Sequence, residues 1–378
     1  VMYLCRELTD TSFADIGKIL GKKDHTTIIH GVNKITSEVN SNEELKNKIT
    51  ELGMPAFRCN QIRDWIFKKF VFSFDEMTNL SVSDRQKLKE AFPKILPPVE
   101  KYEIDSDDKT GKALIKLADG ELIEAVAIPG EDSMTFCLST QVGCAVKCAF
   151  CRTGKQGFKR NLSAEEMILQ VMILVKKTGQ KPTNIVFMGM GEPFANRKAL
   201  FEAIDILTDK TGLGLATRRI TISTSGIIDG IRELSDRPGE VNLAVSLHVA
   251  DNHARNILVP MNKRYPLEKL KEAINDYCVK TSRRVTLEVT LLKNVNDQYN
   301  DAMNLVNFCE GLLVHVNIVR FNKFKGSEYE QSPEKNEKEF RKILKKAGIP
   351  VTVRKSRGQE IMAACGQLAG KAYEQEKK

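Results

Sequence analysis

The chain has 378 residues, 42% hydrophobic and 28% charged, an ordinary globular composition with room for one large core or two to three smaller ones. No apolar run approaches the roughly 20 residues of a membrane span. Arg6, Glu7 and Asp10 speak against a secretory leader, and nine cysteines then read as reduced thiols of a cytoplasmic protein. Residues 1–50 balance seven basic against seven acidic groups, so the rest of the chain carries the whole net charge of +9. Such a surface suits a polyanion such as RNA, and equally plain solubility.

Residues 1–49 predict short helices. Phe13, Ile16, Ile19 and Leu20 share a face, Gly21 fits the C-cap, and Asp24 is an N-cap for a helix through Ile28, Ile29, Val32 and Ile35. Two helices across a Gly-containing turn form a helix-turn-helix pattern. The text GKKDHTTIIHGVNKI, with MYLCRELTDTSFADIGKILG before it, resembles the C-terminal DNA-binding domain of the DnaA family. That resemblance implies that Asp24, His25, Thr26 and Thr27 open a recognition helix facing DNA. The segment is neutral and the match starts within a helix, so a fusion remnant without a role is the expectation, and DNA is a doubtful partner.

Residues 50–105 predict a helical accessory domain, with Ile62, Trp65, Ile66 and Phe70 at amphipathic spacing, later Leu88 and Phe92, and Ser81 or Ser83 as a cap. Arg58, Arg63, Lys68 and Lys69 interleave with Trp65, Phe67 and Phe70, which fits an RNA-touching face or simply a solvated one. After Pro97 and Pro98, residues 106–133 predict a β-hairpin extension turning at Asp119-Gly120.

From residue 134 to about 370 the pattern alternates. Strands are expected at TFCLS, NIVFM, RITIST, NLAVSLH, RVTLEVTLL and HVNIVRF, with helices around 164–177, 197–209, 265–279, 298–310 and 334–347; residues 371–378 form a tail. A strand–helix unit roughly every 30 residues implies an α/β fold, a partial six-unit β/α barrel whose chemistry sits at the C-terminal strand ends.

The first strand leads into CAVKCAFC, where Cys144, Cys148 and Cys151 supply three thiols. Structural zinc takes four protein ligands, and catalytic zinc usually takes histidine or carboxylate. Three soft thiolates suit an iron–sulfur cubane with one iron left open. GMGEP follows the second strand, where small residues admit a ligand and Glu192 is an acceptor; Ser223, Ser246, His248 and Asn322 stand at later strand ends.

The C-x3-C-x2-C triplet after the first strand of a β/α repeat resembles the radical SAM enzymes. FRCNQIRDWIF, CLSTQVGCAVKCAFC, GFKRNL, GMGEP, STSG, SLH, VTLLKNVND and AACGQLAG narrow the likeness to the RlmN family, over residues 50–370. That resemblance implies a methyltransferase acting on carbon 2 of adenosine in 23S rRNA and in the tRNA anticodon loop. It implies a [4Fe-4S] cluster on Cys144, Cys148 and Cys151. It also implies S-adenosylmethionine, two per turnover, held by Gly191, Glu192, Ser223, Ser246, Leu247, His248 and Asn322. Cys365 matches the thiol that carries the methyl group into a covalent protein–RNA intermediate, Cys137 the thiol that resolves it by a disulfide, and Glu124 the general base. A reductant such as flavodoxin and a monomeric state are implied as well. The sister family Cfr, which acts on carbon 8, shares the triplet, GMGE and ACGQL; Pro193 and Ser225 look more like RlmN. RFNKF departs from the family pattern, with Arg320 and Lys323 where many members carry prolines.

Overall fold

The structure, a computed structural model, describes residues 46–93 and 95–368. The helix-turn-helix expected at 1–49, with Asp24 to Thr27, lies outside the described residues apart from its last four, as does the tail. Among the described residues no helix is long and apolar enough to cross a membrane. The chain divides into two compact units. One holds the chain up to Leu96 with Ile204–Leu215 and Asp236–Glu240, and the other holds the remainder.

In the first unit, α1 (Arg58–Arg63) runs into a π-helical turn at Asp64–Lys68, and α2 (Val82–Ala91) follows. Ser81 rather than Ser83 is the cap, its Oγ accepting from Asp84 N at 3.0 Å. Cys59, Ile62 and Leu88 are buried with Met54, Phe74, Met77 and Leu80, and Trp65, Ile66 and Phe92 pack against them. Each such large side chain contributes about 1.5–3 kcal/mol when fully buried, which is what the helical spacing secures. Part of the basic face is already paired: Arg58 meets Asp84 at 3.2 Å, Arg63 meets Asp209 at 3.2 Å and Lys68 meets Asp64 at 2.7 Å.

The second unit is built on a ten-stranded sheet. Its strands are β1 (Val99–Ile104), β2 (Gly111–Lys116), β3 (Leu122–Pro129) and β4 (Met134–Cys137), then β7 (Asn184–Phe187), β8 (Ile220–Thr224), β9 (Asn242–Ser246), β10 (Val285–Leu291), β11 (Val314–Arg320) and β12 (Val351–Arg354), neighbours in that order. The small pair β5 (Gln141–Gly143) and β6 (Phe158–Asn161) lies apart. From β1 to β4 the pairing is antiparallel, and from β4 to β12 it is parallel throughout.

All six expected parallel strands are present, each read from an apolar run because such strands are buried on both faces. The crossovers carry α3 (Arg152–Gln156) and α4 (Ala164–Thr178), α5 (Arg197–Thr208), α6 (Ile228–Asp236), α7 (Asn252–Leu258) and α8 (Leu267–Thr281), α9 (Tyr299–Cys309) and α10 (Glu334–Lys346). Ser163 and Glu166 close a capping box at the start of α4, whose apolar side packs on β2 and β3.

Two strands differ from the sequence reading. Val99–Ile104, assigned to the helical segment, is the edge strand β1; its exposed charges hid the strand pattern. Val351–Arg354 adds β12 as a further parallel strand beyond the six.

Candidate active site

Because the strands from β4 to β12 are parallel, their C-terminal ends share one edge, and the polar residues of the site follow those ends. The loop after β4 is fixed first. Ser139 Oγ donates to the Glu124 carbonyl at 2.6 Å and accepts from Met190 N at 2.9 Å, while Gln141 Oε1 accepts from Glu192 N at 2.9 Å. These bonds tie the cysteine loop to GMGEP. Gly191 has φ +105°, and a Cβ there would stand 2.7 Å from Gln141 N, so only glycine fits so close an approach.

Cys144, Cys148 and Cys151 line one pocket with Gly189, Gly191, Glu192, Ser223, Ser246, His248, Glu288, Asn322 and Cys365. Leu247, expected among the ligand contacts, does not line it; it is fully buried, and its carbonyl accepts from Arg255 Nε at 3.1 Å. Glu192 is 3% exposed, and its carboxylate accepts from Phe194 N at 3.0 Å, Thr224 Oγ1 at 2.8 Å and Ser225 N at 2.6 Å. Burial raises its pKa against those hydrogen bonds. Its first task is therefore to hold the turn after β8.

Ser223 Oγ donates to Glu288 Oε2 at 3.1 Å and lies 3.3 Å from Ser246 Oγ. His248 sits at φ +61°, its Nδ1 accepting from Thr290 N at 3.1 Å and its ring edge-on to Phe150 with centroids 4.6 Å apart. Burial, then the nearby Arg255 charge, pushes its pKa down to about 3, so the ring is neutral with the proton on Nε2. Arg255 is fully buried and donates to the carbonyls of Leu247, Ser225 and Ser246 and to Asn262 Oδ1. It stitches the turns after β8 and β9 together.

The three thiols fit an iron–sulfur cluster on their own chemistry. Burial and the neighbouring thiols push Cys148 well up, while burial above all, with Cys151 and Glu192 adding, takes Cys144 to about 12. The three thiols are half-buried beside one another, and a bound cation that neutralises them together would favour their thiolate forms. Among the described residues no three His, Cys, Asp or Glu side chains converge as ligands of a single metal ion. A cubane asks for less convergence, because each cysteine meets a different iron.

A second pocket shares Cys151, Met188, Gly189, Asn322 and Cys365 with the first and adds Cys137 and Arg354. Both Cys137 and Cys365 are free thiols. Burial, then Cys365, pushes Cys137 up to about 12 against the opposing charge of Arg354. Arg354 ends β12 and meets Glu288 at 3.6 Å, a pair the sequence reading missed. Glu124 is buried, meets Lys112 Nζ at 3.2 Å and opens on a third cleft that has no lining residue in common with the other two. Arg320 and Lys323, the departures in RFNKF, leave Asn322 facing the site: Arg320 pairs with Glu337 at 2.7 Å, and Asn322 Nδ2 donates to the Cys365 carbonyl at 3.3 Å.

The chain matches the radical SAM superfamily over residues 138–306, the ribosomal RNA large subunit methyltransferase N-terminal domain over 40–93 and the bacterial dnaA protein helix-turn-helix over 1–35. A probable dual-specificity RNA methyltransferase RlmN of Caldicellulosiruptor saccharolyticus is 43% identical over 331 residues, 88% of this chain and 96% of the relative. Its counterpart in Dictyoglomus turgidum is 42% identical over 339 residues, 89% and 96% of the two chains. The crystal structure of a radical SAM methyltransferase from Sphaerobacter thermophilus superposes with a TM-score of 0.82 at 40% identity, covering 86% of this chain and 97% of that one.

Proposed function

Because this chain belongs to the RlmN family of radical SAM RNA methyltransferases, we propose that it methylates carbon 2 of adenosine in 23S rRNA and in the tRNA anticodon loop. The observation that carries the mechanism is that Cys137 and Cys365 line one pocket whose wall continues into that of the cysteine triplet. Cys144, Cys148 and Cys151 would hold the cluster. Gly191, Glu192, Ser223, Ser246, His248 and Asn322 would surround S-adenosylmethionine, with Leu247 behind them as support. When bound, cluster and S-adenosylmethionine supply the one-electron chemistry that activates an otherwise inert S-methyl group.

Cys365 has the nucleophile's task. Its sulfur forms a bond to the sulfonium methyl, the methyl–sulfonium bond breaks with its pair left on the departing thioether, and the thiol proton is lost. Methylating a thiol and activating the product separately requires two molecules of S-adenosylmethionine per turnover. Joining the carried carbon to adenine would cost the S-methyl group one hydrogen atom, taken up by the cleaved S-adenosylmethionine, and the adduct one electron. Glu124 would then take the carbon-2 proton, a role its motif supports, with Lys112 Nζ 3.2 Å from its carboxylate. Cys137 then attacks the Cys365 sulfur. A disulfide forms, and the carbon–sulfur bond breaks with its pair on carbon, which takes up a proton. The two thiols are oxidised by two electrons, so an external reductant such as flavodoxin must reset them. An RNA substrate and a disulfide that a reductant must reset support a cytoplasmic enzyme, and the family resemblance implies a monomer. We assign no step in this chemistry to residues 1–35, the stretch that matches the DnaA helix-turn-helix.

The test is the mass of the peptide containing Cys365 from anaerobically purified Cys137→Ala protein. A methylated or RNA-linked Cys365 is expected. An unmodified Cys365 in protein that still cleaves S-adenosylmethionine would sink the carrier mechanism, and product methylated at carbon 8 would move the chain to the sister chemistry.

A further inference from the structure

Cys365 lies in a segment after β12 that has no regular secondary structure, so its position depends on what ties it down. Arg152 N, donating to the Gly366 carbonyl at 2.8 Å, and Gln367 Nε2, donating to the Lys323 carbonyl at 3.0 Å, hold its far end, and the turn between β1 and β2 holds its near end. Asp105 is 2% exposed, and its Oδ1 accepts from Asp107 N at 3.0 Å and Asp108 N at 3.2 Å. Asp108 Oδ1 accepts from Thr110 N at 3.0 Å. Those bonds close the turn on itself. The other oxygen of each carboxylate points away from the turn: Asp105 Oδ2 accepts from Glu360 N at 3.1 Å, and Asp108 Oδ2 accepts from Gly358 N at 2.9 Å. Glu360 reciprocates, its Oε2 accepting from Ser106 N at 3.0 Å and Ser106 Oγ at 2.6 Å.

Gly358 has φ +68°, and a Cβ there would stand 2.9 Å from Thr110 Cγ2, so the two segments meet as closely as glycine allows. The residue between the two anchored amides, Gln359, donates from Nε2 to Asn322 Oδ1 at 2.8 Å, and Asn322 in turn donates to the Cys365 carbonyl at 3.3 Å. A continuous path thus runs from two carboxylates in a surface turn to the backbone of the thiol.

We propose that the β1–β2 turn is a latch for the Cys365 segment, with Asp105 and Asp108 as positioning residues that set where the thiol stands. The inference rests on the reading of Cys365 as methyl carrier only for its catalytic consequence; the latch itself is independent of it. Four facts separate a latch from ordinary loop packing. Both carboxylates divide their oxygens between the two segments, the acceptors are charged and the donors mostly backbone N–H, the contact is reciprocated by Glu360, and the anchored residues lead to Asn322. Burial opposes ionisation of Asp108, but hydrogen bonds from Thr110 and Gly358 and the Arg357 charge hold its carboxyl below the usual range. Asparagine cannot replace either aspartate, because its amide would face a backbone N–H.

The experiment compares full-length, cluster-loaded enzyme with its Asp108→Asn, Asp105→Asn and Asp107→Asn variants. Hydrogen–deuterium exchange is read for residues 356–367 and for β8 to β11. The rate at which Cys365 gains methyl mass, and S-adenosylmethionine affinity, are measured on the same samples. Asp108→Asn should raise exchange of 356–367 about tenfold and slow methylation of Cys365 about as much, with β8 to β11 and affinity unchanged and Asp107→Asn silent. Should buried Asp105 not tolerate change, Asp108→Asn alone decides. Unchanged exchange overturns the latch, and so does a rise spread across the sheet. A selective rise with an unaltered methylation rate overturns the positioning role. A selective rise in an enzyme whose Cys365 is never methylated, wild type included, supports the latch and removes the carrier reading instead.

Discussion

The pocket around the cysteine triplet and the pocket around Cys137 and Cys365 share a wall but are held together differently. The first is made of strand ends and the turns that follow them, cross-tied by buried groups with several partners each: Glu192 accepts three hydrogen bonds and Arg255 makes four. The second is completed by an irregular segment held at a few points: Arg152 N to the Gly366 carbonyl at 2.8 Å, Gln367 Nε2 to the Lys323 carbonyl at 3.0 Å, and Thr153 Oγ1 to the Leu368 carbonyl. A site that holds a ligand in one geometry benefits when its groups are already in place, whereas on the proposed mechanism the thiol of Cys365 would have to meet several partners in turn.

The largest effect should come from the triplet. In Cys148→Ala protein, iron content and methyl transfer should both fall to background while the fold persists, since this half-buried thiol lines a pocket and is not part of the buried core. Retained iron in that variant would mean the three thiols do not act as a set.

Next is Arg255→Met, which keeps the volume and removes every bond. Three carbonyls and the Asn262 side chain then lose a buried donor, and urea unfolding should show a loss of about 3 kcal/mol, at the upper end for orphaned buried partners. A loss below about 1 kcal/mol would show that the first pocket is no more rigid than the second. Gly191→Ala ranks third. Strain from the positive φ and the contact with Gln141 should cost about 2 kcal/mol and weaken S-adenosylmethionine binding, read by calorimetry.

Legibility in the sequence follows the same division. The parallel strands announce themselves as apolar runs, and polar residues at their ends are conspicuous, which is why Glu192, Ser223, Ser246, His248 and Asn322 stand out in the amino-acid sequence alone. Glu288 could have been found too: a lone carboxylate within VTLEVTL is out of place in a buried strand unless it has partners. Arg255 could not, because NHARNIL reads as a solvated turn of helix and only the fold buries it. β12 escaped notice because its four residues, three half-buried and Thr352 exposed, carry little pattern before Lys355. The family resemblance implies Leu247 as a ligand contact, but its side chain is fully buried just past the end of β9 and its carbonyl accepts from Arg255 Nε. The latch turn, DSDDKT, looks like any acidic hairpin loop; its partners lie some 250 positions away, as in the bond from Gly358 to Asp108.

The smallest effect tests the first pocket through protons. His248 titrates at about 3 in the folded protein because burial, and secondarily Arg255, oppose its charged form. An unfolded histidine titrates near 6.5, so between these values the unfolded chain binds a proton that the folded chain refuses. Stability therefore rises with pH across that window, is fully present above about pH 6.5 and is lost progressively as the pH falls. Between pH 6.5 and 5.5 the loss from this residue should be about 1 kcal/mol. In His248→Gln protein the side-chain oxygen can still accept from Thr290 N, so the variant should unfold with a flatter pH dependence over the same interval, measured in urea with the metal-free chain. Parallel pH profiles for the two proteins would mean that the histidine takes up its proton in place, and that the pocket around it opens to water more readily than its hydrogen bonds suggest.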